Sequence, residues 1–216
     1  MPTFKNIKTI VDGNSPNLPL RCPHCRKNGI FTGTHKPLSW QERIESNTVR
    51  TISAGARICP NPQCLGLVFF IINNQNILAT WPPETIDFDT AGVPAAVREA
   101  LEEAISCHAN GCYRATALLV RRTLEEICVE RGVDGRDLKQ RIAALGDRII
   151  MPRELLDALD QLRILGNDAA HIEARIYDQI GSEETDIAIL LTKEILKATY
   201  QYVELVAKLR SLGRNS

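Results

Sequence analysis

Four of the seven cysteines fall in two short pairs, Cys22-Pro23-His24-Cys25 and Cys59-Pro60-Asn61-Pro62-Gln63-Cys64, with 33 residues between the pairs. Two Cys-x(2–4)-Cys turns brought together present four thiolates, the donor set that zinc takes as a tetrahedron. Prolines stiffen both turns, and Gly29 and Gly66 follow where tight turns are expected. Cys22, Cys25, Cys59 and Cys64 are therefore the expected metal ligands, with zinc in a structural role, because four thiolates leave no position for an activated water. The competing readings are a reduced, metal-free set of small core residues and a redox Cys-x-x-Cys. The second lacks the βαβ surroundings such a motif uses. His24 sits between two ligands and cannot reach the same metal, and it and His35 read as bystanders. Around the pairs, Arg21, Arg26, Lys27, Lys36, Trp40, Arg43, Arg50 and Arg57 form either a surface for phosphates and bases or a solvated face of scattered charge.

A second constellation lies in Leu162-Arg163-Ile164-Leu165-Gly166-Asn167-Asp168-Ala169-Ala170-His171. On a helix, Arg163, Asn167 and His171 fall within a sector of about 80°, bordering the apolar face, with Arg163 and His171 about 12 Å apart along the axis. An arginine, an amide and a histidine on one ledge suit a phosphodiester: the guanidinium forks onto non-bridging oxygens and the imidazole moves a proton. On RNA, His171 would serve as general base or acid at the 2′-hydroxyl, with Arg163 and Arg121 holding the phosphate and Asn167 orienting it. Gly166 falls on the buried side, where glycine costs ~1 kcal/mol against alanine and so marks the close approach of a backbone or ligand. The plain alternative is an Arg163–Asp160 surface pair of ~0.3–0.5 kcal/mol with His171 ending the helix.

The elements that position these residues differ between the two parts of the chain. Gly29-Ile30-Phe31-Thr32, Thr48 to Ile52 and Leu67 to Ile72 are β-rich, which with the cysteine turns resembles a zinc ribbon. Past Pro82-Pro83 the period becomes helical. Helices are expected from about Val93 to Asn110 and from Cys112 to Arg131, ended by Gly132. Others are expected from Arg136 to Leu145, from Pro152 through Ala169, and from a Ser182 cap to Leu212. Tyr113, Ala117, Val120, Leu124, Ile127 and Cys128 form one apolar face; Leu155, Ala158, Leu159, Leu162, Leu165 and Ala169 form another. Cys107, Cys112 and Cys128 read as small core residues.

The 216 residues balance 26 basic against 26 acidic side chains, which removes overall basicity as an argument for a nucleic-acid partner. The balance hides a split: residues 1–83 carry 9 basic and 3 acidic side chains, residues 84–216 carry 17 and 23. No stretch approaches the ~20 apolar residues of a membrane span. The first residues lack a signal-peptide pattern, so a cytoplasmic protein is expected.

Arg121-Arg122-Thr123-Leu124-Glu125 together with Leu165-Gly166-Asn167-Asp168-Ala169-Ala170-His171 resembles the helical domain of unknown function numbered 4145, over roughly residues 90–210. That family is found in bacterial defence contexts and is similar to the HEPN superfamily of helical bundles. The resemblance implies a dimer through the helical domain and, in many HEPN proteins, a metal-independent ribonuclease with an arginine and a histidine from each subunit. Their motif places four to six residues between a polar residue after the arginine and the histidine. Here Ile164 follows Arg163, seven residues separate Arg163 from His171, and Gly166 stands before Asn167 where the arginine is expected.

The expected architecture is thus α+β: a small antiparallel β zinc ribbon over residues 1–83, then an all-α, HEPN-like antiparallel bundle over residues 84–216. The expected function is a defence-associated protein directed at RNA or a nucleotide, possessing metal-independent ribonuclease chemistry through His171, Arg163, Asn167 and Arg121. The rival is a non-catalytic dimerisation or binding module.

Overall fold

The computed structural model describes residues 10–11, 16–33, 35–43, 49–74, 76–149, 151–171 and 179–212. The chain divides into two compact units, Met1–Thr85 and Ile86–Ser216.

The first unit is β. Strands β1 (Ile10–Val11), β4 (Leu38–Arg43), β5 (Val49–Ile58), β6 (Leu67–Asn73) and β7 (Asn76–Trp81) form one antiparallel sheet in the order β1-β4-β5-β6-β7. Strands β2 (Leu18–Arg21) and β3 (Asn28–Phe31) pair separately as a hairpin whose turn carries Cys22 and Cys25. Along β6 the period of two is explicit: Val68, Phe70 and Ile72 are buried, while Leu67 and Phe69 face outward. The buried face joins Leu18, Leu20 and Phe31 of the hairpin and the cysteines in one core. Arg57 is buried with them, its guanidinium 4.5 Å over the Phe70 ring and donating to the carbonyls of Ala56 and Pro16. Desolvation lowers its pKa from the ordinary arginine value. The three expected β runs are strands, with Thr48 outside the described residues. Strands β4 and β7 were not expected, because Ser39, Gln41 and Glu42 break the apolar alternation of one and alanine and asparagine dilute the other.

The second unit is helical. Helices α1 (Ala95–Ala109), α2 (Tyr113–Glu130), α3 (Leu138–Arg148), α4 (Arg153–Ala170), α5 (Ser182–Leu196) and α6 (Tyr202–Leu212) follow in order. Pro94 and Pro152 precede α1 and α4, where a missing N–H goes unnoticed. Gly111 (φ 74°) and Gly132 (φ 62°) take the left-handed conformation that ends α1 and α2. Leu101, Leu124, Ile127, Leu145, Leu159, Ile189 and Ile195 form the centre of the core. Buried Thr116, Thr123, Thr185, Thr192 and Thr199 satisfy their hydroxyls by donating to carbonyls four residues back.

Two sequence expectations shift. Gly181, not Ser182, caps α5, its N–H donating to Glu184 Oε2 at 3.0 Å; a glycine reaches that extended backbone as readily as serine. Of the three helical cysteines, Cys128 is core, Cys107 is half-buried, and Cys112 is exposed at the start of α2, because the Gly111 turn swings it outward.

Between α5 and α6 the helix takes a π turn over Lys197–Gln201. In this turn the Thr199 carbonyl accepts from Arg131 Nη2 at 2.8 Å, while Tyr200 donates to Glu130 Oε2 at 2.8 Å. Arg131 lies 4.4 Å over the Tyr200 ring. Burial, then the Glu130 carboxylate, raise the Tyr200 phenol above its ordinary value. Nothing in the periodicity announces this turn; only the partner at the end of α2 explains it.

Candidate functional site

Each cysteine pair closes a knuckle held by its own backbone. Cys22 N–H donates to Lys27 O at 3.0 Å and Arg26 N–H to Cys22 O at 2.8 Å; Cys59 N–H donates to Gly66 O at 2.9 Å and Cys64 N–H to Asn61 O at 2.9 Å. The residue after each second cysteine, Arg26 (φ 61°) and Leu65 (φ 50°), is left-handed. The glycines assigned to tight turns therefore do other work. A Cβ on Gly66 would lie 2.3 Å from His24 Cδ2, and one on Gly29 would lie 2.7 Å from Pro60 Cγ. Each knuckle thus seats a ring of the other in the space a side chain would fill, and this interlock brings the pairs together.

The four sulfurs lie within 4.8 Å of one another, the Cys22–Cys64 pair at 3.8 Å and the Cys25–Cys59 pair at 3.7 Å. Metal–thiolate bonds of about 2.3 Å in a tetrahedron put sulfurs about 3.8 Å apart, which these two pairs match. Burial pushes the Cys59 thiol up to about 12, whereas the Lys27 amide and the Asn61 side chain hold Cys25 down at about 6. Four sulfurs packed at this distance and unequal in acidity are what a cation would draw to a common thiolate state. His24 is no ligand: its Nε2 is 2.8 Å from the Leu67 carbonyl. Among the described residues this is the one cluster of three or more histidine, cysteine or carboxylate groups placed to hold a metal.

The stripe on α4 is built differently. Arg163 sits mid-helix, four-fifths buried, with Nε 2.7 Å from Asp160 Oδ1. That hydrogen bond lowers the Asp160 carboxyl from its ordinary value. Asn167 is exposed, and His171 is exposed at the helix end, its N–H donating to Asp168 O at 3.3 Å. Arg121 on α2 pairs with Glu125 at 3.3 Å. Gly166 is where α2 and α4 touch: a Cβ there would lie 2.4 Å from Arg121 Cβ and 2.8 Å from Ala117 O. The close approach is of another helix, and it sets Arg121 beside α4 close to the stripe. The fold thus brings Arg121 against the Gly166 turn and leaves Arg163 held by its own carboxylate.

Part of the basic and aromatic set of the first unit is engaged, while Arg26, Lys27, Lys36 and Arg43 are exposed. Arg21 pairs with Glu84 at 3.1 Å, Arg50 with Glu42 at 2.8 Å, Arg57 is buried, and Trp40 is buried with Nε1 3.3 Å from Glu42 Oε1. In the second unit His108 pairs with Asp186 at 3.3 Å and does not join Cys107 and Cys112 in a metal cluster.

Two features escaped residue-by-residue reading. No residue of α6 is buried, although Tyr202, Val203, Leu205, Val206, Leu209 and Leu212 are apolar. In addition, an apolar hollow of about 460 Å³ opens on the sheet among Leu38, Ala54, Phe69, Ala79 and Trp81. The spacing of the α6 residues was the available signal for the first; the second depends on strand register. No helix among the described residues is long and apolar enough to cross a membrane.

A family model described as Domain of unknown function (DUF4145) matches residues 102–212. No curated protein and no solved structure matches the chain.

Proposed function

Given that the chain belongs to the family of the Domain of unknown function (DUF4145), we propose that it is a non-catalytic, homodimeric binding protein: a HEPN-like helical domain that pairs through α6, joined to a β module held by a structural zinc ion. The observation that carries this reading is α6 itself. Tyr202, Leu205, Leu209 and Leu212 follow a three-four-three spacing, the seam of a helix that packs on another helix, and all are 48–72% exposed. These 11 residues continue the helix that begins at Ser182 and bury no side of their own. A second copy supplies an equal seam by symmetry.

Zinc is the metal that suits four thiolates at tetrahedral spacing. Cys22, Cys25, Cys59 and Cys64 would hold it; when bound it supplies cross-linking of the two knuckles, and with its coordination closed it offers no Lewis-acid site. The alternative of a metal-free core is opposed by sulfurs packed at 3.7–3.8 Å with no disulfide between them.

A second reading keeps the phosphodiester chemistry. The contact of Arg121 with the Gly166 turn favours it, since Arg121 then stands against the helix that carries Arg163, Asn167 and, at its end, His171. Against it stands the Arg163–Asp160 pair, which must open before the guanidinium meets a phosphate. The experiment that separates the two incubates the protein and His171→Ala with mixed RNA in EDTA and looks for cyclic-phosphate ends. The non-catalytic reading expects none from either protein. Ends produced by the wild type and lost in the variant would replace it with the ribonuclease.

A further inference from the structure

Outside the knuckles the chain holds three more cysteines, and the fold treats them differently. Cys128 is wholly buried in the helical core, where burial pushes its thiol up to about 11, and it is shut off from reagents in solution. Cys107 and Cys112 instead bracket the turn between α1 and α2, the first half-buried and the second exposed.

Two nested backbone hydrogen bonds close that turn. The Cys112 N–H donates to the Cys107 carbonyl at 2.9 Å, and inside it the Gly111 N–H donates to the His108 carbonyl at 2.9 Å. Left-handed Gly111 (φ 74°) permits this closure. The outer bond also fixes the spacing of the two cysteines. Even if the atoms joining them lay in a straight line, standard bond lengths would hold their α-carbons no more than about 6.8 Å apart. Disulfides span roughly 4.4–6.8 Å between α-carbons. Helix-ending turns of this kind bring the side chains at their two ends into contact on one side. Burial raises the Cys107 thiol, and a charge on Cys112 raises it further, as a neighbour's would. Among the described residues, the Cys112 sulfur makes no capping hydrogen bond to α2 and touches the Asn110 carbonyl only weakly, at 3.9 Å. A rotation about χ1 of this exposed side chain carries the sulfur to its neighbour.

We propose that Cys107 and Cys112 form a peroxide-reactive dithiol, a modification site that closes as a disulfide within the chain across the α1–α2 turn. Access to solvent orders the steps. The exposed Cys112 sulfur, as thiolate, attacks one oxygen of hydrogen peroxide. The O–O bond breaks, Cys112 becomes a sulfenic acid, and the departing hydroxide takes the proton that Cys112 gave up. The Cys107 sulfur then attacks Cys112 Sγ; the S–O bond breaks, the S–S bond forms, and the Cys107 proton leaves with the hydroxyl as water. Two thiols have lost two electrons and two protons, and one peroxide has become two waters. The bridge spans residues 107–112 and staples the end of α1 to the start of α2.

The test treats the full chain, metal-loaded, with a modest excess of hydrogen peroxide, blocks the remaining thiols with N-ethylmaleimide under denaturing conditions, and digests with trypsin. Cleavage after Arg98 and Arg114 leaves both cysteines on one peptide, residues 99–114, apart from every other cysteine of the chain. That peptide is expected to lose two hydrogens and take up no maleimide, and to take up two once dithiothreitol has reduced it. In Cys107→Ser the reaction should stop at a sulfenic acid on Cys112, captured by dimedone. In Cys112→Ser, Cys107 should keep its reactivity toward maleimide, oxidising at least about tenfold more slowly than in the wild type. The wild-type digest decides the matter even where a variant fails to fold. Two maleimides on the peptide after peroxide overturn the proposal. So does a bridge from Cys112 to a second chain or to a knuckle cysteine, or a sulfinic acid on Cys112 in place of the disulfide.

Discussion

Gly66 shows how much of the metal centre depends on an absent side chain. Its α-carbon faces His24, so Gly66→Ala forces a Cβ 2.3 Å from Cδ2 of a ring that is itself hydrogen-bonded to Leu67. The variant should lose about 1–3 kcal/mol of stability, measured by denaturant unfolding of the metal-loaded protein, with the loss confined to the β signal. Cys22→Ser removes one donor of four. Elemental analysis should fall from about one zinc per chain to well below it, and the β region should unfold while the helical circular dichroism persists. An ordered β region in zinc-free wild type would contradict the structural role of the metal. On α4, Arg163 lowers the Asp160 carboxyl, so the pair contributes stability above the unfolded carboxyl value of about 3.9 and loses it as pH falls through the depressed folded value. Asp160 is more than a third exposed, so solvent screening limits the gain. Asp160→Asn should therefore lower stability by only about 0.5 kcal/mol at pH 7, with the difference from wild type vanishing in acid.

At the scale of elements, the α2–α4 contact is the tightest helix crossing the glycines mark. Gly166→Ala puts a methyl 2.8 Å from the Ala117 carbonyl, a backbone atom that cannot swing aside. Thermal unfolding should register a loss of about 1–3 kcal/mol, and a neutral result would mean the helices part easily. This glycine was legible in the sequence as a place of close approach, because its penalty inside a helix demands a reason. So were the cysteine pairs, the proline starts of α1 and α4, the glycine ends of α1 and α2, and the faces carrying Leu124, Ile127, Leu159 and Leu162. Less was legible where a neighbour far along the chain decides the outcome. The π turn lies where Thr199 O accepts from Arg131, 68 residues away. Arg163, Asn167 and His171 share a face by spacing alone, yet spacing could not say that Asp160 would hold the guanidinium. The knuckle glycines were noticed for the wrong reason, since what presses on them comes from the opposite knuckle.

The whole molecule couples two units of opposite charge balance, one organised around sulfur and one around leucine. Its β unit packs four clustered cysteines into one small core with Leu18, Phe31, Val68, Phe70 and Ile72. Its helical unit, the part that carries the family, leaves every apolar side chain of α6 exposed among the described residues. Pairing of that seam with another copy is the proposal on which the functional reading rests. Light scattering coupled to size exclusion tests it most directly. The wild type at micromolar concentration should have twice the chain mass of 24.0 kDa, and Leu209→Glu should return it to a single chain without loss of helix. A wild type that elutes as one chain, or a dimer indifferent to Leu209→Glu, would contradict the account.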